Sequence, residues 1–200
     1  LLPRWRSIRS TMIVDDLGCE VDVACGGVDN LYRHHDYNKA IMECYCGKEF
    51  ASIWLHGEHL LVDGRKMSKS LGNILYPGRL LDEGHSPVGV RHFLMREHYR
   101  RPQDFTPEAF RITTAALAEL QQECAALGNG VQAASEPGEA GRRLLDVFEE
   151  AMNNDLQSAV ALERLGAEVK ALNRRELDDA QRTGAKTALT RIDAVLGVLQ

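Results

Sequence analysis

The chain has 200 residues, enough for one ordinary domain or a compact pair of smaller ones. Hydrophobic residues make up 44% and charged residues 26%, which excludes collagen-like, disordered and disulfide-scaffold classes, and no apolar run is long enough for a transmembrane helix. Net charge is −5, with 13 basic against 13 acidic residues over 1–100 and 11 against 16 over 101–200, so no strongly basic domain marks a generic nucleic-acid binder. The opening Leu1-Leu2-Pro3-Arg4 lacks an initiator Met and an apolar signal core, so it reads as a cut edge.

In chain order, Val21 to Ala24 reads as a strand running into Cys25-Gly26-Gly27. A helix is expected from Asp36 to Cys46, with Ala40, Ile41 and Cys44 on one side. Ser52 to His56 and His59 to Val62 read as two further strands, with Asp63-Gly64 as a turn. Val88 to Glu97 has helical spacing. Thr106-Pro107-Glu108 is a helix start, because Thr caps and Pro loses no needed hydrogen bond at the first position. That helix should stop at Gly128-Asn129-Gly130, followed by a mobile loop to Glu139. Three more amphipathic helices are expected: Ala140 to Met152, one capped by Asp155, and one from Asp178 to Leu199. They need one another, which predicts a helical bundle. The five cysteines (Cys19, Cys25, Cys44, Cys46, Cys124) are odd in number and lack framework spacing, so they read as reduced thiols of a cytosolic protein. Cys44 and Cys46 are expected to be buried or half-buried.

The most informative segment is Lys66-Met67-Ser68-Lys69-Ser70-Leu71-Gly72-Asn73. Two lysines three apart, among small hydroxyls, make a cationic loop able to close on a polyphosphate and offset charge on a leaving pyrophosphate. A second constellation, Cys25-Gly26-Gly27-Val28-Asp29, follows a predicted strand. Glycines there permit close backbone approach, and a carboxylate there can bond a ribose or an amine, although a plain turn with an Asp fits as well.

The Lys66–Asn73 string reproduces the KMSKS signature of class I aminoacyl-tRNA synthetases. With Gly26-Gly27-Val28-Asp29-Asn30-Leu31 to Asn38, Leu55-His56-Gly57, Val90 to Met95 and His98-Tyr99-Arg100, the chain resembles the cysteinyl-tRNA synthetase family over nearly its whole length. The resemblance implies an α/β part followed by an all-α part. Residues 1–65 would be the second half of a class I Rossmann-type catalytic domain, 66–105 the KMSKS loop and connecting helices, and 106–200 a C-terminal helical bundle. It also implies ATP-dependent formation of an aminoacyl adenylate, with Mg2+ accompanying the ATP, and transfer to a tRNA in the cytoplasm. Lys69, with Lys66 assisting, and Ser70 would lie near the ATP phosphates. Gly27 and Asp29 would lie near the adenylate, and Trp5 and Asp29 near the amino acid.

Two departures stand against these matches. The family's HIGH motif belongs to an upstream half that this chain does not contain, and His56-Gly57-Glu58-His59 is not that motif. A chain without that half should not form adenylates alone, and it should expose the apolar face the half would cover. The family's zinc ligands fall at Arg9, His34 and Asn38, of which only His34 suits the metal, so zinc is expected to be absent. Arg4, Arg6 and Arg9 would surround the amino acid pocket, either facing an anionic group or simply solvated. His35 reads as a polar contact at a helix start. The alternative to a divergent ligase is a non-catalytic paralogue that binds tRNA or a protein.

Overall fold

The computed structural model describes residues 12–200, except for the side chain of Arg33. Trp5, Arg4, Arg6 and Arg9 lie outside the described residues. The chain divides into two compact units. The first runs to His59 and includes Tyr99–Pro102; the second holds Leu60–His98 and Gln103–Gln200.

The first unit is a β-α-β arrangement. β1 (Val21–Gly27) pairs in parallel with β2 (Ala51–Gly57), in register from Val21 with Ala51 to Gly27 with Gly57. Parallel strands cannot be joined by a tight turn, and the crossover contains α1 (Asp36–Cys46). Between β1 and α1 the chain makes a 3-10 turn at Val28–Asn30 and a π-helical turn at Leu31–His35. α1 ends at Gly47, whose φ of 68° is the left-handed conformation that glycine adopts without penalty. Met42, Phe50 and Ala51 form the small core, with Val21, Ala24 and Trp54 against it. Val23 and Ile53, on paired positions of the two strands, are 49% and 55% exposed.

Cys19 and Cys46 are disulfide-bonded, which corrects the expectation of reduced thiols throughout. Cys44 is exposed rather than buried or half-buried, because residues two apart on a helix face different ways and Cys46 takes the inward one.

The second unit opens with a hairpin, β3 (Leu60–Val62) and β4 (Arg65–Lys66). Asp63 and Gly64 both have positive φ, 51° and 73°, as a two-residue turn between twisted strands demands. β5 (Gln103–Phe105), not anticipated from the sequence, joins β3 in parallel. The Asp104 carboxylate accepts from the Gly64 N–H at 3.0 Å and holds the turn. α2 (Pro77–Asp82), also not anticipated, begins at a proline. So does α3 (Pro87–Met95), capped by Ser86, whose hydroxyl accepts from the Gly89 N–H at 2.9 Å.

Four long helices follow: α4 (Pro107–Leu127), α5 (Gly138–Asn153), α6 (Ser158–Asn173) and α7 (Asp179–Leu196). Thr106 caps α4 as expected, and Asp178 and Gln181 form a capping box on α7. The core includes Leu127, Leu144, Leu165, Val169, Ile192 and Leu196. Among the described residues, no helix is long and apolar enough to cross a membrane.

Three expectations are corrected here. Asp155 does not cap α6: it and Leu156 take positive φ, 57° and 56°, and the Asp155 carbonyl lies 2.7 Å from His98 Nε2, so the chain turns once more before α6 starts. α7 stops at Leu196, not Leu199, because Gly197 takes a left-handed φ of 62°. The Asp193 carboxylate then accepts from the Val198 and Leu199 N–H groups and folds both residues back into the core. The loop expected to be mobile is tied to α7. Thr187 Oγ1 accepts from the Ala134 N–H at 2.8 Å, Lys186 donates to the Val131 carbonyl, and Arg191 donates to that of Ser135.

In the bundle, Gly141 of α5 and Gly184 of α7 face main chain at close range. A Cβ on Gly184 would sit 2.1 Å from the Pro137 carbonyl oxygen, whereas one on Gly166 would only touch Leu120 Cδ1 at 3.5 Å. Gly184→Ala should therefore cost about 1–3 kcal/mol by overpacking, while Gly166→Ala should gain about 0.5–1 kcal/mol from helix propensity. Urea unfolding followed by circular dichroism separates the two.

His92 is buried in the second unit, and its Nδ1 has no hydrogen-bond partner. Burial holds its pKa below the usual value of 6.5, so the unfolded chain takes up the proton first as pH falls. Helical stability should thus decline as pH drops from 7 through 6.5 and level off below the depressed pKa. A His92→Phe variant should show a flatter profile in thermal melts.

Candidate functional site

The two candidate constellations belong to different units. In the first unit, Gly26 and Gly27 close β1. A Cβ on Gly26 would lie 2.4 Å from His35 Cε1 and 2.7 Å from His35 Nε2; one on Gly27 would lie 2.8 Å from Asp29 Oδ1. The close approach that these glycines permit is made by the chain's own side chains. His35 sits in the π-helical turn ahead of α1, and the helix-start polar contact read from the sequence has a definite partner: His35 Nδ1 lies 2.7 Å from His56 Nε2. Trp54, two residues before His56 on β2, shares its face, with ring centroids 5.1 Å from His35 and 6.4 Å from His56. Burial, then the neighbouring His56, hold the His35 pKa below its usual value, favouring a neutral ring.

Asp29 is exposed, with its Oδ2 4.0 Å from His59 Nε2. His34 and Asn38 are half-buried. A pocket of about 200 Å³ is lined by Cys25, His35, Asn38 and Trp54 among apolar side chains such as Val21 and Val23. Among the described residues, no group of three or more His, Cys, Asp or Glu side chains is placed to hold a metal ion. The Asn38 amide is a neutral, weak ligand, so the described donor set does not fit a zinc centre.

In the second unit, the KMSKS segment hangs from the hairpin. The Met67 N–H donates to the Leu60 carbonyl at 3.3 Å, and Lys66 is the last residue of β4. Asn73 closes the loop from both sides: its Oδ1 accepts from the Ser68 N–H at 2.9 Å and its Nδ2 donates to the Lys66 carbonyl at 3.2 Å. Gly72 makes the return possible with a φ of 67°, and its N–H donates to the Lys69 carbonyl at 3.2 Å. The Ser68 hydroxyl receives the Leu71 N–H at 3.3 Å and lies 3.2 Å from the Ser70 hydroxyl. Lys66 and Lys69 are exposed, and the Lys69 ammonium has no ion-pair partner among the described residues. The backbone is thus fixed while the cation projects to solvent.

Residues 2–115 match the family described as the tRNA synthetases class I (C) catalytic domain. This chain belongs to that family. It is 36% identical over 206 residues to the cysteine–tRNA ligase of Chlamydia felis and 37% identical over 206 residues to that of Chlamydia caviae, with 99% and 98% of this chain covered. In both cases it spans only 43% of the relative's length. The fold matches the LeuRS of Agrobacterium radiobacter K84, solved in a ternary complex with tRNA and LeuAMS. The TM-score is 0.65 at 17% identity, covering 88% of this chain and 25% of that one. It also matches Mycobacterium tuberculosis methionyl-tRNA synthetase in complex with methionyl-adenylate, with a TM-score of 0.54 at 22% identity over 90% of this chain and 40% of that one. The class I synthetase resemblance and the α/β-then-helical fold expected from the sequence both hold.

The sequence reading missed the His35–His56 pair and the Asn73 clasp. The first had a signal in the Trp54-Leu55-His56 alternation on a predicted strand, and the second in the Gly-Asn that follows the lysines. Because His35 fills the space above Gly26, Gly26→Ala should destabilise the first unit by about 1–3 kcal/mol. Adding His35→Ala should recover part of that loss, a coupling readable in urea titrations monitored by tryptophan fluorescence.

Proposed function

We propose that the chain is the KMSKS-bearing part of a cysteinyl-tRNA synthetase-like ligase, which activates an amino acid with ATP and passes it to a tRNA in the cytoplasm. The observation that carries this reading is the loop itself: a backbone fixed by Asn73 that presents an exposed Lys69 with no ion-pair partner among the described residues. When the amino acid carboxylate attacks the α-phosphorus of ATP, negative charge accumulates on the departing pyrophosphate. Lys69, with Lys66 assisting, offsets that charge, and Ser70 donates a hydrogen bond nearby. Mg2+ accompanies the ATP. Gly27 and Asp29 line the adenylate, and Asp29 and Trp5 the amino acid. The chain spans 43% of the relatives' length, and on this reading the activity needs a longer polypeptide whose upstream part carries the HIGH half.

A second reading, a non-catalytic paralogue that binds tRNA or a protein, draws on one observation: the neutral Asn38 stands where the family resemblance expects a zinc-binding carboxylate. The deciding measurement is amino-acid-dependent ATP–pyrophosphate exchange by the complete reading frame containing these residues. Cysteine, serine and acidic amino acids should be tested with and without added zinc. Exchange is expected, and Lys69→Ala should lower it by about 10²–10³-fold. Exchange with cysteine that requires zinc would overturn the metal-free reading, and ATP binding without exchange would establish the paralogue.

A further inference from the structure

The bond between Cys19 and Cys46 spans 27 residues, with the two Cα atoms 5.6 Å apart. Cys19 lies two residues ahead of β1, and Cys46 is the last residue of α1. The closed loop therefore contains all of β1, both short turns and all of α1, and with them Gly26, Gly27, Asp29 and His35. Both cysteines are half-buried and flanked by exposed residues, Gly18 and Glu20 on one side and Tyr45 and Gly47 on the other. A small thiol can reach them.

We propose that Cys19 and Cys46 are a reversible thiol–disulfide site that exchanges with a small thiol couple such as glutathione and, when oxidised, stiffens the loop carrying the candidate nucleotide-facing residues. A framework disulfide holds a chain that would otherwise fall apart; here the same place is closed without sulfur. Glu20, next to Cys19, pairs with Lys48, and the Val21 N–H donates to the Phe50 carbonyl at 2.9 Å. Neither contact involves sulfur, so neither depends on the bond, and the reduced form is expected to fold as well. In the oxidising direction, the thiolate of one cysteine attacks glutathione disulfide and releases one glutathione. The second thiolate then displaces the other glutathione. Two protein thiols lose two protons and two electrons, and one glutathione disulfide becomes two glutathiones.

The remaining cysteines are internal standards. Cys25 and Cys44 are exposed and label when reduced; in oxidised glutathione each takes up one glutathione as a mixed disulfide, which its added mass reveals. Cys124 is buried in the bundle, and burial pushes its thiol up to about 12, so it should label only on unfolding. Trp54 lies on β2 and gives the first unit a fluorescence reporter.

The test equilibrates the chain with glutathione at a series of reduced-to-oxidised ratios, alkylates the folded protein, and identifies labelled cysteines by mass spectrometry. Labelling of Cys19 and Cys46 should rise together as the buffer becomes more reducing, and in the oxidising buffers the two should be protected without added glutathione mass, whereas Cys25 and Cys44 carry it. The tryptophan-monitored melting temperature should fall by about 10 °C between the oxidised and reduced ends, since the bond restricts the unfolded chain. Cys44→Ser should leave the response intact, and Cys19→Ser should abolish it. Should Cys19→Ser fail to fold, the wild-type labelling series decides alone. The proposal fails if Cys19 and Cys46 stay labelled in the most oxidising buffer, stay protected in the most reducing one, or if Cys44 titrates in place of Cys46. None of these readouts needs ligase activity, so the outcome is independent of the function proposed above.

Discussion

Two strands that run in the same direction cannot be joined by a turn, and the first unit is organised by that requirement. The crossover from β1 to β2 must travel the length of the strands, and α1 supplies the travel. Its entry through a 3-10 turn and a π-helical turn swings His35 back over the end of β1, where only a glycine leaves room for the ring. His56 arrives at the end of β2 because the parallel register sets Gly26 opposite it. One topological demand thus gathers two histidines, a tryptophan and an aspartate at the carboxyl ends of two strands, the region where open parallel sheets bind ligands.

The second unit solves a different problem: how to present a cation on a loop without leaving the loop shapeless. Its answer is local. A two-residue turn with both φ values positive is held by Asp104 from β5, and a parallel β5 fixes β3 from the other edge. The segment that leaves β4 is closed by one side chain, Asn73, whose amide can both accept and donate. Ordering this loop costs conformational entropy at every residue, and the short bonds across it offset that loss before any ligand arrives.

Much of this was legible in the sequence, for reasons that can be located. The Asp63-Gly64 turn and the Thr106-Pro107 start are local chemistries with one structural outcome each, and they appear where the residues place them. What was not legible depended on partners far away in the chain. Asp155 carries a good capping side chain, but its backbone carbonyl is engaged by His98, and the helix begins three residues later. β5 is three residues long and has no periodicity of its own; it is a strand only because β3 offers it an edge. The Cys19–Cys46 bond has no spacing rule behind it, since its closure depends on the crossover geometry of α1. The lysine loop was read from the string alone, whereas its closure depends on the Asn73 amide reaching both the Ser68 N–H and the Lys66 carbonyl.

The segment between α4 and α5 carries a further consequence. Lys186, Thr187 and Arg191 of α7 reach across to it, but what they hold is main chain: the Val131 carbonyl, both polar groups of Ala134, and the Ser135 carbonyl. Recognition of backbone is blind to side-chain identity. The composition of residues 132–135 is therefore free to drift while their length and path are not, and a residue inserted between Val131 and Ala134 would put these bonds out of register.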